Sequence, residues 1–182
     1  MTKKILVLTG SPRKNGNSEL FADAFIRGLE SAGHEVTKFR SGNKKILGCT
    51  ACNKCYSKGV ACVFNDDFNE LAPLAEEADM LVLATPLYWF TFPAQIKAAI
   101  DKLYALYVGK RPVKIKESVL LVCAETDDMQ DFDGIVRSFD LINGYLQWSD
   151  RGQLLVPNVN KVGDIEKTDA LLKAEELGKT IR

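Results

Sequence analysis

The feature that most constrains the fold is the regular alternation of short apolar runs with amphipathic segments. Residues 5–9, 80–84 and 119–124 are apolar at nearly every position, which is typical of strands buried on both faces of a parallel sheet. A weaker strand is predicted over residues 36–40, and a last one over residues 145–156 with a bend near Gly152. Segments with apolar residues at helical spacing separate these strands. The sequence therefore predicts an α/β fold with a parallel sheet and helices on both faces.

The size and charge of the chain restrict its class. Its 182 residues are the length of one domain, so we expect a single domain over residues 1–182, with residues 41–67 as a cysteine-rich insertion. Lys plus Arg and Asp plus Glu both number 24, and this balance argues against a nucleic-acid binder. The most apolar stretch, residues 80–94, is too short to span a bilayer and is interrupted by two prolines. No signal peptide is apparent, so we expect a cytoplasmic protein without a membrane partner.

The loop between the first strand and the first helix is rich in hydrogen-bond donors. Loops at this edge of an open α/β sheet are where ligands bind. The loop matches neither the dinucleotide nor the P-loop glycine pattern. Its hydroxyls, amides, guanidinium and free helix N–H groups nevertheless suit a phosphate group. A routine polar loop with a helix cap is the alternative. The candidate phosphate-binding residues are Ser11, Arg13, Asn15, Asn17 and Ser18.

Three consecutive aromatic residues, Tyr88, Trp89 and Phe90, follow the apolar run of residues 80–84 at a short distance. They cannot all enter the core, so some of them are exposed or cover a ligand. A flat ring system is a suitable ligand, because aromatic stacking adds energy beyond the burial of area. An oligomer interface is the alternative, and it is compatible with a ligand.

These two loops make the sequence similar to the flavodoxin-like NADPH-dependent FMN reductases. The resemblance also rests on residues 93–97 and 100–102, and it covers residues 3–107. It implies a three-layer flavodoxin-like fold, with a five-stranded parallel sheet of order 2-1-3-4-5 and FMN at its carboxyl edge. Members of this family are usually dimers or tetramers, so we expect a homodimer or homotetramer. The resemblance implies that the donor-rich loop holds the FMN phosphate and that the isoalloxazine is lined by Pro86, Leu87, Tyr88, Trp89 and Phe90.

The loop after the strand at residues 119–124 departs from the small, neutral pattern of the family. It carries Glu125 and Thr126, followed by several aspartates. Carboxylates at this place disfavour an anionic reduced flavin. We therefore expect Glu125 or Thr126 to contact the flavin ring through backbone N–H groups, while the acidic side chains face solvent or cap the next helix.

Four of the five cysteines lie in one short segment, with the spacing Cys49-x2-Cys52-x2-Cys55-x6-Cys62. This spacing lets several thiolates converge on one metal centre. It is similar to the motif of the iron–sulfur flavoproteins, a branch of the same group, and the resemblance implies a [4Fe–4S] cluster. Structural zinc and free or redox-active thiols are the alternatives. The exposed-looking residues Lys54 and Lys58 lie nearby and would help to balance the negative charge of a cluster. The fifth cysteine, Cys123, is predicted to pack in the core.

The leading hypothesis is an FMN-dependent oxidoreductase that takes a hydride from NAD(P)H and passes electrons to a small-molecule acceptor. A quinone, a nitro or azo compound or free flavin would serve as the acceptor. No catalytic side chain is expected, because the flavin carries the chemistry. The alternative is an iron–sulfur flavoprotein electron carrier, with a [4Fe–4S] cluster and FMN, that accepts electrons from ferredoxin. Residues 1–62 carry 11 basic and 4 acidic side chains, so positive charge accompanies both the phosphate loop and the cysteines.

Overall fold

The sheet of the protein is parallel throughout and has the strand order β2-β1-β3-β4-β5 in a computed structural model, which describes residues 1–182. The predicted flavodoxin-like order is therefore confirmed. The five strands are β1 (Lys4–Thr9), β2 (Glu35–Phe39), β3 (Met80–Pro86), β4 (Glu117–Cys123) and β5 (Ser149–Val156).

Helices cover both faces of this sheet and complete the three layers. The helices are α1 (Asn17–Ser31), α2 (Phe68–Glu77), α3 (Ala94–Lys102), α4 (Tyr104–Val108), α5 (Asp133–Leu146) and α6 (Ala170–Thr180). Helices α1 and α6 pack on one face, and α2 to α5 pack on the other. None of these helices is both long enough and apolar enough to cross a membrane.

Alternate residues of each central strand enter opposite cores. In β1, Leu6 and Leu8 pack with α2 to α5, while Ile5 and Val7 pack with α1 and α6. All four side chains are at most 2% exposed. Because successive side chains of a strand point to opposite faces, a strand covered on both sides needs apolar residues at every position. This requirement explains the unbroken apolar runs in the sequence.

The start of the last strand is the main error in the predicted elements. Residues 145 and 146 belong to α5, which ends where Gln147 takes the left-handed φ of 56°. The strand β5 begins only at Ser149. Its pairing with β4 shifts register between Ser118 and Leu120, and Gly152 has a φ of 151° there. The predicted bend near Gly152 is therefore confirmed as a β-bulge.

The cysteine-rich segment contains neither α-helix nor strand, as predicted. After β2 the chain forms one 3₁₀ turn at Ser41–Asn43, and it then runs through turns and irregular backbone until α2 begins at Phe68. The segment lies on the side of the sheet covered by α2 to α5, because Ile46, Cys55, Tyr56 and Cys62 pack against that core.

Candidate functional site

A cleft opens at the carboxyl edge of the sheet, between the loops that follow β1, β3, β4 and β5. Its position is the one at which open parallel sheets bind ligands. The cleft is lined by Ser11, Arg13, Gly16, Asn17, Ser18, Pro86, Leu87, Tyr88, Cys123, Ala124, Glu125, Val159, Asn160 and Val162.

The shape of the β1–α1 loop is held by a buried carboxylate, Glu19, in the first turn of α1. The backbone N–H of Asn15 donates to Glu19 Oε2 at 2.7 Å, and Arg40 Nη2 lies 3.1 Å from the same oxygen. Lys38 Nζ lies 3.6 Å from Glu19 Oε1. Asn15 has a left-handed φ of 55°, which asparagine tolerates well. Glu19 was not predicted as a site residue, although a Glu three positions after Gly16 has the spacing of a capping box.

Several hydrogen-bond donors of this loop have no partner in the chain. The backbone N–H groups of Asn17 and Ser18, at the start of the 15-residue helix α1, donate to no acceptor. The hydroxyl of Ser18 lines the cleft without a hydrogen bond, although this residue is only 2% exposed. The Arg13 guanidinium forms no ion pair, and it also lines the cleft. Free donors and a cation at a helix N-terminus bind anions. These residues therefore fit a phosphate group.

The side chain of Asn17 binds the segment after β5 and does not point a free donor into the cleft. Its amide Nδ2 donates to the carbonyl of Lys161 at 2.9 Å, and its Oδ1 accepts from the N–H of Gly163 at 3.0 Å. This tie fixes α1 to the segment after β5, so Asn17 is left with its backbone N–H for a ligand. Asn15 is exposed and does not line the cleft.

The 3₁₀ turn after β2 supports the β1–α1 loop from behind. The hydroxyl of Ser41 donates to the carbonyl of Thr9 at 2.8 Å, and the Asn43 amide donates to the carbonyl of Pro12 at 3.0 Å. Gly42 approaches so closely that a Cβ there would lie 2.3 Å from the carbonyl oxygen of Ser11. This turn was not predicted from the sequence, in which a Ser-Gly-Asn run follows the carboxyl end of a strand.

The aromatic loop after β3 is a strained turn. Tyr88 and Thr91 exchange backbone hydrogen bonds of 3.1 and 3.0 Å. Between them, Trp89 and Phe90 have left-handed φ angles of 46° and 64°. Bulky residues rarely adopt this conformation, and such strain is concentrated at functional sites. Pro86, Leu87 and Tyr88 line the cleft, whereas Trp89 and Phe90 do not. Trp89 is 91% exposed.

The loop after β4 presents backbone donors to the cleft. The N–H groups of Glu125 and Thr126 donate to no acceptor in the chain. Glu125 lines the cleft, whereas the Thr126 hydroxyl donates to Asp131 Oδ2 at 2.6 Å. Cys123 is buried beside the cleft, as predicted for a core residue, and burial raises the pKa of its thiol to about 12. The thiol therefore stays protonated at neutral pH.

The last wall of the cleft was not predicted. It is formed by the segment after β5, through Val159, Asn160 and Val162. The N–H of Val159 donates to the carbonyl of Ala124 at 2.9 Å, so this wall is fixed to the loop after β4. The rule that ligands lie outside the carboxyl ends of strands also applies to β5 and would have found it.

All four clustered cysteines line one small further cavity. Most of its other walls are apolar, and they come from Phe64, Phe68 and the start of α4. Burial raises the pKa of Cys55, and the nearby thiols of Cys62, Cys49 and Cys52 raise it further. The backbone N–H of Lys54 lowers the pKa of Cys52 by hydrogen bonding to its sulfur. The four sulfur atoms are thus near enough to influence one another.

The backbone of the motif turns around this cavity. Ala51 and Asn53, on either side of Cys52, have left-handed φ angles of 52° and 54°. No three His, Cys, Asp or Glu side chains converge in a way that would hold a single metal ion. A zinc ion needs every sulfur within about 2.3 Å of one point. Four cysteine thiolates around one cavity are the donor set that an iron–sulfur cluster uses.

The cysteine segment is anchored to α2 by Tyr56 and Arg111. The Tyr56 hydroxyl donates to Glu76 Oε1. Arg111 forms a bidentate pair with the same carboxylate, from Nε to Oε1 at 3.1 Å and from Nη2 to Oε2 at 2.7 Å. The guanidinium also lies 5.2 Å from the centre of the Tyr56 ring. The Arg111 hydrogen bonds hold the pKa of Glu76 below its usual range. This cluster keeps the segment next to the helical layer.

Comparison with known proteins identifies the family. Residues 3–138 match the family model described as NADPH-dependent FMN reductase. The chain belongs to this family. The resemblance to this family that the sequence predicted is thus confirmed. FMN is confirmed as the cofactor of the family, and the chain belongs to a class of FMN-dependent oxidoreductases.

Curated relatives of this FMN reductase family member include several iron–sulfur flavoproteins. One from Archaeoglobus fulgidus is 44% identical over 109 residues, which cover 60% of this chain and 48% of that protein. The chain thus spans about half the length of the first such relatives. The Bacillus subtilis protein YwqN, provisionally named an NAD(P)H-dependent FMN-containing oxidoreductase, is 23% identical over 177 residues, or 94% of this chain and 93% of that one.

Solved structures of this family's fold superpose on nearly the whole chain. An NAD(P)H:quinone oxidoreductase from Methanothermobacter marburgensis has a TM-score of 0.73 at 19% identity, covering 98% of this chain and 96% of the other. At this identity the likeness shows the fold alone.

Proposed function

We propose that the chain is an iron–sulfur flavoprotein, that is, an FMN-dependent oxidoreductase with a [4Fe–4S] cluster in the cysteine cavity. One observation carries this proposal: Cys49, Cys52, Cys55 and Cys62 all line one cavity in a chain that belongs to the FMN reductase family. The names of the relatives that are about 30–44% identical support it.

The free donors of the cleft are assigned to the two ends of FMN. Ser11, Arg13 and Ser18, with the backbone N–H of Asn17, would hold the phosphate at the N-terminus of α1. Bound FMN supplies hydride acceptance and single-electron transfer, and the protein binds and orients it. No side chain of the cleft needs to move a proton.

The loops after β3 and β4 are assigned to the ring of FMN. Pro86, Leu87 and Tyr88 would contact the ring face, with Trp89 and Phe90 beside them on the strained turn. The free N–H groups of Glu125 and Thr126 would donate to its polar edge. The Glu125 carboxylate, which lines the cleft, opposes extra negative charge there.

The four cysteine thiolates would hold the cluster, which supplies single-electron transfer when bound. A one-electron protein donor such as ferredoxin is the partner that matches this chemistry. We place the protein in the cytoplasm, because all five cysteines are unpaired and disulfides are rare in that compartment. A single domain and a homodimer or homotetramer stay predictions.

The second candidate is an NAD(P)H-dependent reductase of quinones, nitro or azo compounds or free flavin, with free thiols in the cysteine segment. It is favoured by the exposed aromatic rings of Tyr88 and Trp89 next to the cleft, which offer a surface for stacking a nicotinamide or a flat acceptor. It is also favoured by the Bacillus subtilis relative, which matches over almost its whole length.

Anaerobic purification followed by an absorption spectrum, flavin extraction and iron and sulfide analysis tests the proposal. We expect bound FMN and about four iron and four sulfide atoms per chain. C55S should lose the iron, whereas C123S, which removes the one cysteine outside the cavity, should keep it. Bound FMN without iron, with turnover of NAD(P)H and a quinone, would establish the second candidate. A colourless protein that binds no added FMN would exclude both.

A further inference from the structure

Lys102, the last residue of α3, is a buried cation at the cysteine cavity. It is only 3% exposed, and it lines the cavity together with the four cysteines. Lysine is almost never fully buried without a partner, because the desolvation of an ammonium group is expensive. A buried lysine at a cluster of thiols therefore requires an explanation.

The ammonium of Lys102 is held from one side by a fully buried carboxylate, Asp66. Asp66 forms an ion pair with Lys102 Nζ, and it also accepts hydrogen bonds from the N–H of Leu47 at 2.9 Å and of Phe68 at 3.2 Å. The ring centres of Phe64 and Phe68 lie 5.8 and 5.7 Å from the same ammonium. These distances are within the range of cation–π attraction. The charge of Lys102 is thus fixed in position.

The two members of the ion pair have different surroundings. Lys102 forms part of the wall of the cysteine cavity, whereas Asp66 does not. The Asp66 carboxylate accepts from the backbone N–H groups of Leu47 and Phe68, so the positively charged member of the pair is the one that borders the cavity. Lys54 and Lys58, the lysines within the cysteine segment itself, are exposed to solvent. Water and salt screen the charges of these exposed lysines more strongly than that of the buried Lys102.

We propose that Lys102 is a positioning residue of the cysteine cavity, which stabilises negative charge there and raises the reduction potential of the cluster. This inference rests on the [4Fe–4S] cluster of the proposed function. A cluster held by four thiolates is anionic, and it gains one further negative charge when it accepts one electron. A fixed cation in a low-dielectric wall favours the more negative state, and charge near a cluster is one of the factors that set its potential.

The test compares the midpoint potential of the cluster in variants of opposite sign. The holoprotein is titrated anaerobically with dithionite as the one-electron donor and followed by absorbance and electron paramagnetic resonance. D66N leaves the cation without its counter-charge and should raise the midpoint. The neutral pair K102Q/D66N removes both charges and should lower it below that of the wild type. We expect the latter shift to be at least tenfold in the reduction equilibrium, or about 59 mV.

Two control variants separate this role from a structural one. K58Q removes an exposed charge of the cysteine segment and should leave the midpoint potential unchanged. K102R keeps a positive charge at this position and should have the midpoint potential of the wild type. If the ion pair had only a structural role, D66N and K102Q/D66N would lose thermal stability, but their midpoint potentials would not shift in opposite directions. Equal midpoints for D66N and wild type, or shifts of both variants in one direction, would overturn the inference. If K102Q/D66N does not retain its cluster, the D66N value decides alone.

The outcomes also distinguish this inference from the proposed function. A wild-type protein without iron after anaerobic purification refutes the cluster itself, and the inference about Lys102 falls with it. If the wild-type protein holds a cluster and both variants have the same midpoint potential as the wild type, only the role of Lys102 is refuted.

Discussion

Replacement of Gly42 by alanine tests whether the turn after β2 shapes the phosphate site. A Cβ on Gly42 would lie 2.3 Å from the carbonyl oxygen and 2.4 Å from the carbonyl carbon of Ser11, whereas ordinary contact begins at 3.4 Å. The neighbouring Ser41 and Asn43 are tied to the carbonyls of Thr9 and Pro12. These hydrogen bonds keep the turn in place, so an added Cβ at Gly42 should displace the β1–α1 loop.

The size of the effect follows from the geometry of hydrogen bonds. A displacement of about 1 Å takes a bond of about 2.9 Å beyond the range in which it counts as a hydrogen bond. A hydrogen bond to a charged group contributes about 1.5–3 kcal/mol. The loss of one such bond to the phosphate weakens FMN binding by about 10–150-fold. Strain from the added methyl group should also lower the free energy of unfolding by about 1–3 kcal/mol.

Titration of the apoprotein with FMN, followed by quenching of flavin fluorescence, measures the dissociation constant. Urea unfolding of the same samples separates weaker binding from loss of fold. G48A is the matched control, because its Cβ would meet no atom within 4 Å and Gly48 has no left-handed backbone. A G42A protein that binds FMN within about twofold of the wild type, or a G48A protein that binds as weakly as G42A, would refute the reasoning.

Three further predictions concern other parts of the molecule. S18A removes the unpaired hydroxyl of the cleft and should weaken FMN binding by about tenfold or more with an unchanged Tm; equal affinity would show that Ser18 is not a ligand. W89G relieves the left-handed backbone conformation of an exposed residue, so the free energy of unfolding, measured with urea, should rise by about 1 kcal/mol. A lower free energy of unfolding would show that the turn is not strained at this residue. Arg111 lowers the pKa of Glu76, so the stability from this carboxylate is present above its usual value of 4.5 and is lost as the pH falls through the lowered pKa. The Tm of E76Q should therefore lie below that of the wild type at pH 7 and approach it as the solution is acidified, and a constant difference would argue against the assignment.

The sheet could be predicted from the sequence because both faces of its central strands are buried. Each is covered on both sides, so every position is apolar and the run stands out from amphipathic helices. The candidate FMN-binding residues then follow from topology, since Ser11 and Glu125 come shortly after strands whose carboxyl ends share one edge, and Ser18 lies in the first turn of the helix that follows β1. The structure brings these three to one cleft.

What the sequence did not predict depends on contacts between distant residues. Glu19 is held at the phosphate loop by Arg40, 21 positions further along the chain, and Gly42 supports this loop through its close approach to Ser11. The buried pair of Lys102 and Asp66 joins α3 to the insertion across 36 positions. The start of β5 was misplaced because aromatic residues around position 145 have high strand propensity, whereas the end of α5 is set by the left-handed backbone at residue 147.

The insertion has few elements of its own, yet the structure ties it to the rest of the fold at three places. Its start, Ser41–Asn43, supports the phosphate loop. Its middle is tied to α2 through Tyr56 and Glu76, and its end is tied to α3 through Asp66 and Lys102. Two of these ties run to α2 and α3 on one side of the sheet, and the third runs to the loop between β1 and α1, so the insertion connects the cysteine cavity to the phosphate side of the cleft without a strand or α-helix between them. Loss of the tie to α2 should therefore disturb the cysteine cavity and leave FMN binding unchanged.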